Sequence, residues 1–421
     1  MEDTSSKQIT DNVDFGDLGG RLKGLGLVAG LTGLGGAIIW GALVGDQFDR
    51  FFHSYLLNFA YFLCFAVGGL FFTVLQPLVN AKWSVVVRRL AEITAATLPM
   101  FMVLSLVFLI PMALGNTKLY EWSDPLIMAN DHLLHAKQGW LNPLFFVARI
   151  IGYFVILGGM ARYFFKKSTE QDESGDEALS RSMKRMSPPA MIVFALTASL
   201  LAFDLLMSLE PRWFSTIFGV YYFGGSTMCI LAFLILFGKV LQASGRLQTS
   251  ITVEHYHDLG KLLFAFVFFW GYIGFSQFML IWMANLPEET GWFFWRMELG
   301  SDGKLGYGWV SIFLVIFHFA LPFVMLLSRW TKRLNFRLAG KEIPLLVLMA
   351  FYLVAVHWVD MYWLVMPSYW PQELVIHPID ILNLVGVGGF FLFALASKAS
   401  KVKLLPIKDP DLTTSLRFEN Q

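Results

Sequence analysis

The sequence predicts an all-α integral membrane protein of about ten transmembrane helices. Three observations carry that reading. The chain of 421 residues is 56% hydrophobic and only 15% charged, with mean hydropathy +0.58. Its apolar residues fall into runs of about 20, the length a helix needs to cross a bilayer. Aromatic residues make up 16% of the chain, and Trp and Tyr gather near the ends of those runs, as membrane–water interfaces favour.

Taken in order, the spans are expected at 22–44, 55–79, 92–114, 141–165, 188–208, 215–238, 259–284, 307–329, 343–366 and 378–397. The first repeats small residues at four-residue spacing, Gly26/Gly30 and Gly41/Gly45, which lets two helix backbones approach closely. Its partner is either another span of this chain or another subunit. The second and sixth carry the two cysteines, Cys64 and Cys229, too far apart for a C-x-x-C pair and too few for an iron–sulfur cluster. The fifth and ninth share a faint repeat. Asp204 stands seven residues before Pro211, and Asp360 seven before Pro367, with Trp213 or Tyr369 and Trp370 following. The repeat predicts two similar four-helix bundles, spans 2–5 and 6–9, flanked by spans 1 and 10.

The connections are short. Segments 115–140 and 285–306 are rich in aromatics and are candidates for docking a partner or resting on lipid headgroups. Segment 166–187 mixes charges and reads as a solvated loop, as does the acidic tail end with Asp409, Asp411 and Glu419. The whole chain reads as one membrane domain: an N-terminal segment 1–21, a ten-helix region 22–397 and a tail 398–421. The first twenty residues lack the apolar stretch of a cleaved signal peptide. An even span count puts both ends on one side. Most of the 32 basic residues lie on that side, including Lys166, Lys167, Arg181, Arg329, Arg333 and Lys398, so both termini are expected in the cytoplasm. A net charge of +1 gives no field for nucleic acid.

Charged groups inside hydrocarbon cost at least about 2.5 kcal/mol at a helix centre, so each is a candidate functional residue. Arg149, Asp204, Asp360 and Asp380 lie toward the non-cytoplasmic ends, with His132, His135 and His377 in adjoining loops. His318 and His357 lie near mid-membrane, and His357 shares a helix face with Asp360 three residues on. Glu254, His255, His257 and Asp258 mark a cytoplasmic mouth, with Lys261 one turn further in and Glu92 a possible neighbour. Read together, they sketch a proton path from Glu254, His255, His257 and Asp258 through His318 to His357, Asp360 and Asp204. Imidazole suits such a relay because it titrates near neutrality. The alternative is structural: Arg149 pairing with Asp204 or Asp380, and the histidines bonding serines or carbonyls.

The stretch 251–290 also carries a resemblance. Glu254-His255-Tyr256-His257-Asp258-Leu259-Gly260-Lys261, Phe275-Ser276-Gln277, Ile281-Trp282-Met283-Ala284-Asn285 and Pro287-Glu288-Glu289-Thr290 are similar to the F subunits of bacterial alternative complex III. These belong to the polysulfide-reductase-type (NrfD-like) membrane family. The resemblance implies two four-helix bundles and a place in a quinol-oxidising electron-transfer complex of the bacterial inner membrane. It implies no cofactor in this chain and a proton path. It also implies partners: a paralogous quinol-binding C subunit, an iron–sulfur subunit and multihaem cytochromes carrying haem c. Three other readings remain: a quinol site in this chain at Asp204 or Asp360, a haem b held by His318 and His357, and a proton-coupled transporter.

Overall fold

A computed structural model describes residues 11–44, 48–300, 303–338 and 341–420. Among them, ten helices are long and apolar enough to cross a membrane: Gly16–Leu43, Phe48–Leu78, Lys82–Ala113, Pro143–Ser174, Glu177–Leu209, Phe218–Ala243, Val253–Ala284, Gly308–Leu327, Leu345–Tyr369 and Pro378–Ala399. They are numbered spans 1 to 10 below. The protein is an all-α, multi-pass membrane protein.

Span 2 stands at the centre, buried almost throughout. Spans 2, 3, 4 and 5 close on one another as one bundle, and spans 6, 7, 8 and 9 as a second. The bundles meet where span 2 packs on spans 6 and 9, and span 5 on span 6. Exchanging 2 with 6 and 5 with 9 maps this contact pattern onto itself, as a doubled ancestral unit would require.

Spans 1 and 10 lie outside and pack on each other. Glycine makes that contact possible. A Cβ added at Gly33 would lie 2.4 Å from the Gly386 nitrogen, and one at Gly389 would lie 2.2 Å from the Gly30 nitrogen. The small-residue repeat of span 1 is therefore used within the chain through Gly26, Gly30 and Gly33. Gly41 makes ordinary contacts with Phe48 and Phe51, and Gly45 lies outside the described residues.

Several helices run further than expected, and each extension has a local cause. Span 4 continues to Ser174 and span 5 begins at Glu177, so segment 166–187 is helical apart from a two-residue turn. Gly175 makes the turn at φ 70°, and the Asp176 side chain accepts from the Ala178 N–H to start the next helix. Lys166–Glu170 and Glu177–Arg181 pairs one turn apart support the projecting hairpin. The adjacent Pro188 and Pro189 sit inside span 5, where a helix boundary was expected. Spans 2 and 3 begin at Phe48 and Lys82 rather than at 55 and 92. Arg50, Arg88 and Arg89 are thus inside helices, and all three are buried.

Both described ends of the chain lie on one side. Lys403 pairs with Asp14 at 2.8 Å, and the Leu404 N–H donates to the Val13 carbonyl. This face is called the terminal side, and the opposite one the far side. The tail end is not a solvated appendage. Asp409 is buried and pairs with Arg88 at 2.7 Å, in a network with Glu92, Arg89 and Asp172; Asp411 reaches Lys82. Ser415 donates to the Trp83 carbonyl at 2.6 Å, and Asn420 bonds Lys261 and the Glu254 carbonyl. The tail is a strap across both bundles, and of the three acids expected to be solvated, Asp409, Asp411 and Glu419, only Glu419 is fully exposed. A short antiparallel hairpin, Asn335–Leu338 with Lys341–Pro344, lies on the same side. On the far side, segment 115–140 holds two short helices whose first turns are capped by Asp124 and Asp131, and segment 285–306 holds the helix Pro287–Met297.

The glycine contact gives a direct test. Gly389→Val should destabilise the protein by about 1–3 kcal/mol, the usual cost of overpacking. Gly35→Ala, whose added Cβ meets nothing within 4 Å, should leave the melting temperature in detergent unchanged. Equal melting for both variants would place the span 1 contact elsewhere.

Candidate functional site

The two repeated acids meet opposite environments. Asp204, at the far end of span 5, faces Arg149 of span 4. Arg149 Nε donates to Oδ2 at 2.7 Å and Nη2 to Oδ1 at 3.0 Å. The Tyr153 hydroxyl and the Trp140 indole N–H add one bond each, both at 3.0 Å. The guanidinium lies 4.2 Å from the centre of the Trp140 ring and gives its remaining nitrogen to the Trp140 carbonyl. Both carboxylate oxygens are doubly engaged, and the pair is enclosed. A cavity of about 360 Å³ lined by Phe203, Met207, Trp213 and Phe214 lies beside it, but the carboxylate is already committed.

Asp360, seven residues before Pro367 on span 9, has no arginine. Its Oδ1 accepts from the Tyr221 hydroxyl at 2.5 Å, and its Oδ2 from the Trp270 indole at 3.2 Å. His357, one turn earlier, places Nδ1 3.4 Å from Oδ2, off hydrogen-bonding geometry. The His318 ring stacks on the His357 ring, centroids 5.5 Å apart and planes within 16°. Trp270 meets the His318 ring edge-on at 4.1 Å. His318, His357 and Asp360 are each wholly enclosed, and none of the four imidazole nitrogens has a hydrogen-bond partner. Polar groups without a hydrogen bond are costly to bury and are rare in folded proteins.

Local backbone makes this arrangement possible. His318 sits in a π-helical segment, Leu314–Ala320, inside span 8. Pro322 follows four residues after His318 and has no N–H to return to its carbonyl, which favours the wider turn. Gly225 on span 6 leaves room for His357, since an added Cβ would fall 2.5 Å from the ring. Cys64 and Cys229 come from distant spans to flank His357.

The remaining expected residues are elsewhere. Asp380 pairs not with Arg149 but with Arg50 of span 2, at 2.7 Å, and also accepts the His377 backbone N–H at 2.8 Å. At the mouth, Glu254 pairs with Arg333 at 2.6 Å, and Asp258 pairs with Lys261. His255 bonds Thr252 and the Ser415 carbonyl, so the tail strap covers it. Neither ring nitrogen of His257 makes a hydrogen bond, and Nδ1 lies 3.9 Å from Asp258 Oδ1. Glu92 joins Arg88 and Arg89 instead of the mouth.

From Asp258 to Trp270 span 7 rises ~18 Å. Its inward face there is Leu259, Leu263 and Val267, in one apolar cluster with Leu326, Leu346, Met349 and Leu353. The structure therefore brings His318, His357 and Asp360 together. It leaves the mouth beyond an apolar layer and Asp204 in the other bundle.

Tyr221, Trp270 and Arg50 went unnoticed in the sequence, and the two cysteines were noted without their place beside His357. Their types were visible, but nothing in one chain of letters says which helix faces which. Arg296, from the helix Pro287–Met297, was also missed. It stacks 3.8 Å from the Trp292 ring and bonds the carbonyls of Trp292, Trp363 and Leu364. Burial pushes its guanidinium down to about 10, against the opposing pull of Glu210. It bonds carbonyls of span 9 beyond Asp360 and leaves that acid to neutral donors.

Two outcomes test these assignments. Arg149→Met should cost about 3–5 kcal/mol of stability by stranding Asp204, and the double variant Arg149→Met/Asp204→Leu should recover most of it in a detergent melt. His377 caps span 10 through Nδ1, which accepts from the Ile379 N–H and must therefore be unprotonated. Burial and then the Arg50 charge lower its pKa, opposed by Asp380. A histidine lowered in the folded state costs stability as pH falls below the unfolded value of about 6.5, and costs nothing above it. His377→Asn, which keeps a capping oxygen, should melt like the parent near pH 8 and lose less stability than the parent on acidification.

No protein-family model matches the sequence, and no characterised protein is significantly similar to it.

Proposed function

We propose that this chain is a cofactor-free membrane subunit of a quinol-oxidising electron-transfer complex, and that its second bundle carries protons across part of the bilayer. The place in a complex rests on the resemblance of residues 251–290 to alternative complex III F subunits. With it come the expected partners, a quinol-binding C subunit, an iron–sulfur subunit and multihaem cytochromes, and a bacterial inner membrane with both termini cytoplasmic. The proton role rests on one observation: two stacked imidazoles whose four nitrogens make no hydrogen bond of good geometry, beside a carboxylate that has no arginine.

The chemistry follows from those groups. Asp360 can take a proton while its neutral donors, Tyr221 and Trp270, hold it in place. His357 can pass that proton to His318 by exchanging which ring nitrogen carries hydrogen, with water bridging gaps beyond ~3.5 Å. The apolar layer of Leu259, Leu263 and Val267 separates this relay from the mouth and acts as the barrier that a coupled device needs. Water must enter that layer for a proton to pass.

The alternatives fit less well. A quinol site at Asp204 would need a carboxylate free to accept a proton, and Arg149 engages both oxygens. Axial haem ligands approach iron nitrogen-first, whereas His318 and His357 lie face to face.

The test is proton yield per electron in the reconstituted complex. Asp360→Asn, nearly isosteric, and His318→Leu should each assemble and keep electron transfer while slowing proton movement roughly 10²-fold or more. Full proton yield in both variants would make the cluster structural. Loss of quinol binding by the isolated Asp360→Asn chain would move the quinol site here.

A further inference from the structure

The π-helical segment of span 8 leaves one carbonyl without a main-chain donor. In a π-turn the carbonyl of residue i accepts from the N–H of residue i+5, rather than i+4 as in an α-helix. The Leu321 N–H follows the wider pattern and donates to the Ile316 carbonyl. Phe317 comes next. Its α-type donor would be that same Leu321 N–H, which is already engaged, and its π-type donor would be Pro322, which has no N–H. The Phe317 side chain is exposed on the apolar surface of the span, where hydrocarbon offers no water to replace the missing bond.

Span 9 supplies the donor. The Tyr352 hydroxyl donates to the Phe317 carbonyl at 2.7 Å. Tyr352 lies on the helix that carries His357, and Phe317 is next to His318, so this bond ties together the two helices that hold the stacked imidazoles. Span 7 accommodates the same turn. A Cβ added at Gly271 would lie 2.3 Å from the Phe319 ring, so glycine there makes room for the residue on the other side of His318. The hydroxyl also selects between two forms of the helix. In the α form the Leu321 N–H would take the Phe317 carbonyl, and the tyrosine would not be needed. The turn would then lose its extra residue, and side chains across it would swing about the helix axis by up to ~100°, the angle between neighbouring residues. That rotation takes His318 out of the stack.

We propose that Tyr352 is a positioning residue for His318: its hydroxyl stands in for the N–H that Pro322 lacks, and so holds span 8 in the π form that stacks His318 on His357. Its bearing on protons rests on the relay proposed above; its bearing on geometry does not.

Magic-angle-spinning NMR of the full chain in lipid, with carbon-labelled histidine, tests the geometry. The stacked rings should give an inter-histidine cross-peak that His318→Leu abolishes. Tyr352→Phe, which removes only the hydroxyl, should weaken that cross-peak roughly fivefold or more, the population change that one hydrogen bond commands. Tyr272→Phe removes an exposed hydroxyl that has no hydrogen-bond partner among the described residues, and should leave the peak unchanged. The double variant Pro322→Ala/Tyr352→Phe can satisfy the carbonyls of the turn as an α-helix. It should fold even if Tyr352→Phe does not, and it should also lack the cross-peak. A full-strength cross-peak in either variant would overturn the proposal, as would equal weakening by Tyr272→Phe. Proton yield in the reconstituted complex separates this role from the relay: a lost cross-peak with full proton yield upholds Tyr352 as the residue that positions His318 and sinks the relay.

Discussion

An ionised group cannot rest in hydrocarbon without a partner, and this constraint orders the inside of the molecule. Asp204 meets it with a bidentate arginine, a tyrosine and an indole. Asp380 meets it with Arg50 and a backbone N–H. Asp360 alone has no cation of fixed charge, only a phenol, an indole and a histidine whose charge depends on a proton. The first two acids are each bound by an arginine. The third is bound by neutral donors, with an imidazole beside it.

The doubled architecture sharpens the contrast. Spans 5 and 9 stand in matching places and carry their acids seven residues before a proline, so a common frame offers a similar position twice. In the first bundle, an arginine from span 4 fills the space beside the acid. In the second, span 8 contributes a histidine on a π-helical turn, and the nearest arginine, Arg296, bonds carbonyls further along span 9. One copy pairs its acid with a fixed positive charge, and the other sets it among neutral donors and imidazoles. The change of role needs no change of scaffold.

Much of this could be read before the coordinates were known. Span number and the Asp204/Asp360 repeat follow from hydropathy and spacing, which are local properties. The His357–Asp360 face follows from helix period alone. What stayed hidden is mostly relational. Arg149 could have met Asp204 or Asp380 by depth, and only the pairing of spans decides between them. Helix ends were misjudged for another reason. Pro188 and Pro189 looked like a boundary, yet the polar residues before them form i,i+4 pairs that carry the helix into solvent. Asp409 read as solvated because its partner, Arg88, lies 321 residues away in sequence.

The glycine-mediated contact between spans 1 and 10 has a consequence for how the chain is made. Synthesis delivers span 1 long before span 10, so span 1 must wait in the bilayer while the eight spans between them insert. Its glycine face is of little use until span 10 arrives, and its exposed leucines and isoleucines keep it at home in lipid meanwhile. The pair then closes as a late clasp, and the tail strap behind span 10 can cross both bundles only after that. Of the two helices in the clasp, the one made earlier is captured by the one made later.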